Sequence, residues 1–350
     1  MQTIHKILVS DSRSLEFLHD GSIDLVVTSP PYPMIQMWDG LFSGLSAEAE
    51  GFLTANDGDA AFEAMHRELD KTWGELFRVL KDGSLACINI GDATRTVGGR
   101  FRLYPNHSRI TSAMRSLGFD ALPAIVWRKQ TNAPNKFMGS GMLPAGAYVT
   151  LEHEFILIFR KGGKRDLTAE RDRERRGKSA FFWEERNKWF SDLWDFKGAA
   201  QELRLSDARA RSAAFPFELA YRLINMYSLY EDTVLDPFMG LGTTGCAAVA
   251  CGRNSVGVEI EGALAPLIME QEVSFAAAAN EILSTRIQSH NDFIESYQQS
   301  KGPPKYCSKH HGFPVVTRQE TGMRLFRVSG IRRESERDLA ACYEPVGMLR

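Results

Sequence analysis

The most chemically suggestive run in the sequence is Ser29-Pro30-Pro31-Tyr32. Two consecutive prolines fix φ and give the Pro30 carbonyl a constrained direction. One acceptor is thereby aimed rigidly, and the Ser29 hydroxyl supplies a second. Tyr32 adds a flat face on which a planar heterocycle can stack. Two acceptors beside a stacking face suit a planar group that carries an amine. Taken alone, the same four residues read equally well as a proline-rich surface turn.

A second run, Asp236-Pro237-Phe238-Met239-Gly240-Leu241-Gly242-Thr243-Thr244-Gly245, is a glycine loop between a short strand and a helix. Gly240 and Gly242 let the backbone turn and come close to a ligand, toward which the following helix points free N–H groups. A lone glycine loop is weak evidence. Glu259 strengthens it, because it ends the next strand, where an acid hydrogen-bonds ribose hydroxyls in nucleotide-binding α/β units. No Gly-Lys-Ser/Thr follows the loop, so it is not a Walker A motif.

Both runs need strands to carry them. Apolar segments bounded by turn residues alternate with amphipathic stretches along the chain, which is the α/β pattern. Strands are expected at residues 4–9, 23–28, 85–90, 124–127, 155–159, 233–235 and 255–259. Helices are expected at 12–18, 61–80, 216–227 and 244–250. The tetrapeptide and the glycine loop each follow a buried strand. Ligands in open α/β sheets bind beyond the carboxyl ends of the strands, so the two loops are expected to share one cleft.

Together the two motifs resemble the hallmark pair of the DNA amino-methyltransferases, which modify N4 of cytosine or N6 of adenine. Their catalytic tetrapeptide is (Ser/Asn/Asp)-Pro-Pro-(Tyr/Phe), matched by Ser29, Pro30, Pro31 and Tyr32. Their cofactor motif is Phe-x-Gly-x-Gly, matched by residues 238–242. The tetrapeptide comes first here, the order of the β permutation class. The resemblance spans most of residues 1–290. It implies a circularly permuted, Rossmann-like methyltransferase fold with a mostly parallel, doubly wound sheet and a target-recognition insert. It implies S-adenosylmethionine as cofactor. Asp11 would contact its adenine amine and Glu259 its ribose, with Thr28, Asp236, Pro237, Phe238, Gly240, Gly242, Thr243 and Thr244 building the rest of the site. At the start of the helix before the cofactor loop some related enzymes carry a His-Pro-Ala-like sequence, where this chain has Arg211-Ser212-Ala213-Ala214-Phe215-Pro216.

The expected organisation is a catalytic half at 1–161, target recognition at 162–207, a cofactor half at 208–297 and an extension of unassigned role at 298–350. Residues 162–178 are dense in charge, and Arg165, Arg171, Arg173, Arg175, Arg176 and Lys178 are the candidate phosphate and base contacts. Interleaved acids make a solvated helix the competing reading. Trp183, Trp189 and Trp194 follow in the same region, and the loop at 131–148 is a second candidate for DNA contact or active-site closure. With a net charge of −2, the whole chain gives no sign of a polyanion partner, so any such surface must be local.

The five cysteines are scattered and form no CxxC pair, which argues against disulfides and zinc. Cys307 with His310 and His311 lacks a second cluster to complete a metal site, and no metal is expected. The first ten residues lack a signal-peptide core and no stretch is long enough to span a bilayer, which reads as cytoplasmic. Serine at the first catalytic position leans toward cytosine N4, since Asp-Pro-Pro-Tyr is more typical of adenine enzymes. Adenine N6 is the runner-up, followed by RNA or protein methylation and by a non-catalytic nucleic-acid-binding homologue. The partners implied are double-stranded DNA, a second copy of the chain and a cognate restriction endonuclease.

Overall fold

A computed structural model describes residues 1–130, 138–197 and 215–348. Ten strands form one sheet: β1 (Gln2–Val9), β2 (Ile23–Thr28), β3 (Leu80–Ile90), β4 (Phe119–Gln130), β5 (His153–Lys161), β6 (Leu193–Lys197), β7 (Thr233–Asp236), β8 (Asn254–Glu259), β9 (Phe326–Arg333) and β10 (Asp338–Pro345). Their order is β6-β4-β5-β3-β2-β7-β8-β1-β10-β9. All run the same way except β5 and β10.

The centre of this sheet is buried on both faces, which is why its strands read as unbroken apolar runs. Val26 of β2 packs with the long helix Gly58–Val79 on one face. Its neighbours Leu25 and Val27 pack with helices Phe217–Tyr227 and Thr243–Cys251 on the other. The long helix starts where the Asp57 carboxylate accepts from the Ala60 N–H at 3.1 Å, and it buries Phe62, Met65, Leu69, Trp73 and Leu76. Gln2 to Lys6 of β1 pair with β10, while His5 to Val9 pair with β8.

One expectation fails. Residues 12–18 form turns, because side chains of the long helix take their backbone groups: Arg78 bonds the Leu15 and Leu18 carbonyls, and Glu75 accepts the Leu15 N–H. The region beyond residue 298 is structured, its hairpin β9–β10 extending the sheet past β1. The boundary at 297 falls inside helix Ala276–Lys301.

The charge-dense run has partners that its own sequence does not show. Arg165 pairs with Asp232 at 2.6 Å and with Asp24 at 3.3 Å, and Arg175 pairs with Asp232 at 2.8 Å. Asp24 is the second residue of β2 and Asp232 directly precedes β7, so this run lies at the amino ends of the parallel strands. The six residues of β2, at about 3.3 Å each, separate it from the carboxyl ends. Lys178 pairs with Glu174, and Arg171, Arg173 and Arg176 project from the same exposed helix. Trp189 and Trp194 are core residues. Trp183 stacks obliquely on Phe293 of the helix Ala276–Lys301. Residues 131–137 and 198–214, with Asn132, Asn135, Lys136 and Arg211 to Ala214, lie outside the described residues.

Candidate active site

At the opposite end of the sheet, the loops after β1, β2, β7 and β8 border a cleft of about 590 Å³, within the usual range for a small-molecule site. Strands β2 and β7 are neighbours, with Val234 opposite Leu25 and Leu235 opposite Val26. The tetrapeptide and the glycine loop therefore leave the sheet side by side, as expected. Ser29, Pro30, Pro31 and Tyr32 line one part of the cleft. Asp11, Pro237, Phe238, Gly240, Thr243 and Glu259 line another.

Thr28, Asp236, Gly242 and Thr244 stand behind this wall. The buried Asp236 carboxylate accepts from the Thr28 and Thr244 hydroxyls, each at 2.6 Å, and from the Phe238 N–H at 3.1 Å. It thus ties the end of β2 to the glycine loop. Burial pushes this carboxyl up to about 6, against those three donors. Gly242 has φ +80°, and a Cβ there would sit 2.7 Å from Ile268, so both dihedral and space require glycine.

Glu259 fastens the loop from its other side. One carboxylate oxygen accepts from the Gly240 N–H and the other from the Glu261 N–H, both at 2.9 Å. Burial raises its pKa. Asp11 is partly buried, which works upward, but the Arg13 guanidinium at 2.7 Å holds its carboxyl below the usual range. Beneath the loop, Glu272 is fully buried with both oxygens unpartnered, and burial pushes it up to about 8.

The tetrapeptide is held by residues to which the sequence reading assigns no catalytic part; there Glu154 reads only as structural or cofactor-adjacent. The Tyr32 hydroxyl donates to Glu154 at 2.9 Å and accepts from Asn89 at 2.9 Å and from the Ser29 hydroxyl at 3.2 Å. Glu154 also accepts from Asn89 at 2.7 Å and from the Lys129 ammonium at 3.0 Å. Burial, and then the Glu154 charge, raise Tyr32 well above the usual phenol range. A Cβ on Gly91 would lie 3.0 Å from the Tyr32 ring, so the backbone passes directly against it. Asn89, Lys129 and Glu154 come from β3, β4 and β5. Only the sheet register brings them together, and their one sequence signal was position near a strand end.

The site thus couples a glycine-built cleft with carboxylates to an acceptor loop beside an aromatic ring. The profile of the DNA methylase family, the N6/N4 methyltransferases, matches residues 23–270. The chain belongs to this family. It is 51% identical to the Type II methyltransferase M.MthZI of Methanothermobacter thermautotrophicus, over 93% of this chain and 91% of that one. It is 47% identical to the Type II methyltransferase M.MjaI of Methanocaldococcus jannaschii, over 77% of this chain and 91% of that one. Among solved structures it resembles TTHA0409 of Thermus thermophilus, a putative DNA modification methylase complexed with S-adenosyl-L-methionine. That match has 34% identity and a TM-score of 0.60, covering 77% of this chain and 95% of that one.

This chain is accordingly an S-adenosylmethionine-dependent DNA methyltransferase of the amino-methylating family. Its cleft fits that cofactor chemically. Asp11 and Glu259 present acceptors for an amine and for hydroxyls, Gly240 opens the backbone, and Phe238, Ile260, Leu264 and Leu267 give apolar walls. Among the described residues no group of three or more His, Cys, Asp and Glu could hold a metal, and no helix is long and apolar enough to cross a membrane. His311 is instead structural, its Nε2 accepting the Leu325 N–H at 2.9 Å.

Proposed function

We propose that the chain methylates N4 of a flipped-out cytosine in double-stranded DNA, as the modification enzyme of a restriction-modification system. Ser29 at the head of the tetrapeptide carries the choice of base. The Type II names of its relatives support the restriction-modification setting.

An exocyclic amine is a poor nucleophile, because its lone pair is delocalised into the ring. Ser29 Oγ and the Pro30 carbonyl accept its two hydrogens, which favours a pyramidal nitrogen and frees that lone pair. S-adenosylmethionine, when bound, supplies a methyl group on a positively charged sulfur. Asp11 and Glu259 hold the adenosine part, and Pro237, Phe238 and Gly240 shape its bed. A stacked base cannot reach Ser29, so it leaves the duplex at a cost of roughly a few kcal/mol. Stacking on Tyr32 offsets about 1–3 kcal/mol of that. Trp127 and Phe215 line the same chamber. DNA then approaches from the carboxyl ends of the strands, where residues 138–152 connect β4 to β5 and Tyr148 stacks on Phe101.

The test is incubation of unmethylated phage DNA with the protein and labelled S-adenosylmethionine, followed by nucleoside mass spectrometry and methylation-sensitive sequencing. N4-methylcytosine at one short site is expected. N6-methyladenine would keep the mechanism and overturn the base. Label in RNA or protein alone would overturn DNA as the substrate here.

A further inference from the structure

We propose that Glu154 is a positioning residue of the reaction: acting through Tyr32, it fixes which way the Ser29 hydroxyl points. The inference rests on the amine-methylation reading above and holds for cytosine and adenine alike.

A serine in this role has an ambiguity that an aspartate would not have. A carboxylate can only accept, whereas a hydroxyl can accept or donate. If Ser29 donated its hydrogen to the amine nitrogen, it would tie up the lone pair that must attack. Something has to take that hydrogen elsewhere. The two prolines after Ser29 have no N–H, so they offer its oxygen no local backbone donor that would orient it.

The network behind the loop supplies the direction. Glu154 is an acceptor facing three donors: Lys129 on one oxygen, and Asn89 and Tyr32 on the other. The Tyr32 hydrogen therefore points to Glu154. Asn89 donates to the Tyr32 oxygen as well, and the reversed amide would set its oxygen against the Glu154 carboxylate. Asn89 Oδ1 is left buried without a partner, a cost that this orientation bears while its NH₂ donates to both Tyr32 and Glu154. With its own hydrogen committed, the Tyr32 oxygen can only accept from Ser29, which leaves the Ser29 lone pairs turned to the cleft. The polarity of the whole chain is set at Glu154.

The test is Glu154→Gln, which keeps the shape and reverses the polarity. The Lys129 ammonium can only donate, so it takes the amide oxygen and turns the NH₂ toward Tyr32. The expected result on the mapped site is a kcat lower by about tenfold or more, with the KM for DNA and the S-adenosylmethionine Kd within about twofold of wild type. Tyr32→Phe keeps the stacking ring and cuts the link. It should lower kcat similarly, and adding Glu154→Gln in that background should change nothing further. Wild-type kcat in Glu154→Gln, or additive effects of the two substitutions, would overturn the proposal. So would a lower Tm accompanied by a parallel rise in KM, the mark of a merely structural role. If the wild-type protein methylates no DNA at all, the amine-methylation reading itself fails and this inference falls with it. An active wild type with additive variants overturns this inference alone.

Discussion

The two ends of the sheet both gather charged side chains, but they end differently. At the amino ends, Arg165 and Arg175 converge on Asp232, whose side chain is 1% exposed, and the bonding closes on itself. At the carboxyl ends, Lys129, Glu154, Asn89 and Tyr32 form a chain whose last member, Ser29, faces an open cleft. Sequence density of arginine therefore does not locate a polyanion surface. What matters is whether the charges already have partners, since a guanidinium held by a buried carboxylate is committed to the fold.

The contrast breaks first at Ser29. Ser29→Ala removes one of the two acceptors and should lower kcat about a hundredfold, the scale for one transition-state hydrogen bond, in a labelled-methyl transfer assay. Activity near wild type would mean that the carboxyl end is not where the chemistry happens. Next comes Arg165→Ala, which strips Asp232 of a bidentate partner and should cost about 1–3 kcal/mol in denaturant unfolding. Its DNA affinity should keep the wild-type salt slope.

Glu272→Gln probes the floor of the cofactor loop. The Glu272 carboxyl is neutral in the fold up to about pH 8 but ionises near the ordinary 4.5 when unfolded. Its stability contribution is thus full below about 4.5 and is lost as pH rises toward 8. The glutamine variant has no such loss. Its Tm should exceed wild type by a margin that widens from pH 5 to 8, reaching roughly 2–4 °C, and then levels. A constant margin would place the ionisation elsewhere. The smallest effect is expected from joint alanine replacement of Arg171, Arg173 and Arg176, which should leave DNA affinity and salt dependence unchanged. A slope flatter by about 0.9 per lost contact would restore this run as a phosphate surface.

Much of the site was legible because it is local. Ser29 to Tyr32 and residues 236–244 each sit on one loop after one buried strand, and β2 was placed at its observed bounds. What could not be read depends on register and on distant partners. Asn89, Lys129 and Glu154 lie on three strands whose order in the sheet, β4-β5-β3, no local pattern reveals. Residues 12–18 have helical spacing, but Arg78 and Glu75 of the long helix claim their backbone groups. Strand β9 was missed because it is the edge strand, where exposed residues such as Arg327, Arg332 and Arg333 blur the apolar alternation, and its neighbour β10 was missed with it. The arginine run was read correctly as charged, but its partners Asp24 and Asp232, which hold Arg165 and Arg175, are too far away in sequence to be read locally.

The position of β1 has a consequence for how the protein comes into being. His5 lies opposite Ser255 and Gln2 opposite Cys342, and the Met1 carbonyl accepts from the Tyr343 N–H at 2.9 Å. Strand β1 is thus flanked by two strands that follow it far along the chain and are synthesised long after it. At about 5–20 residues per second, it waits tens of seconds with both edges unpaired. The cofactor cleft, which Ser10 and Asp11 help to line just after β1, is complete only once Leu267, the last residue to line it, has been made.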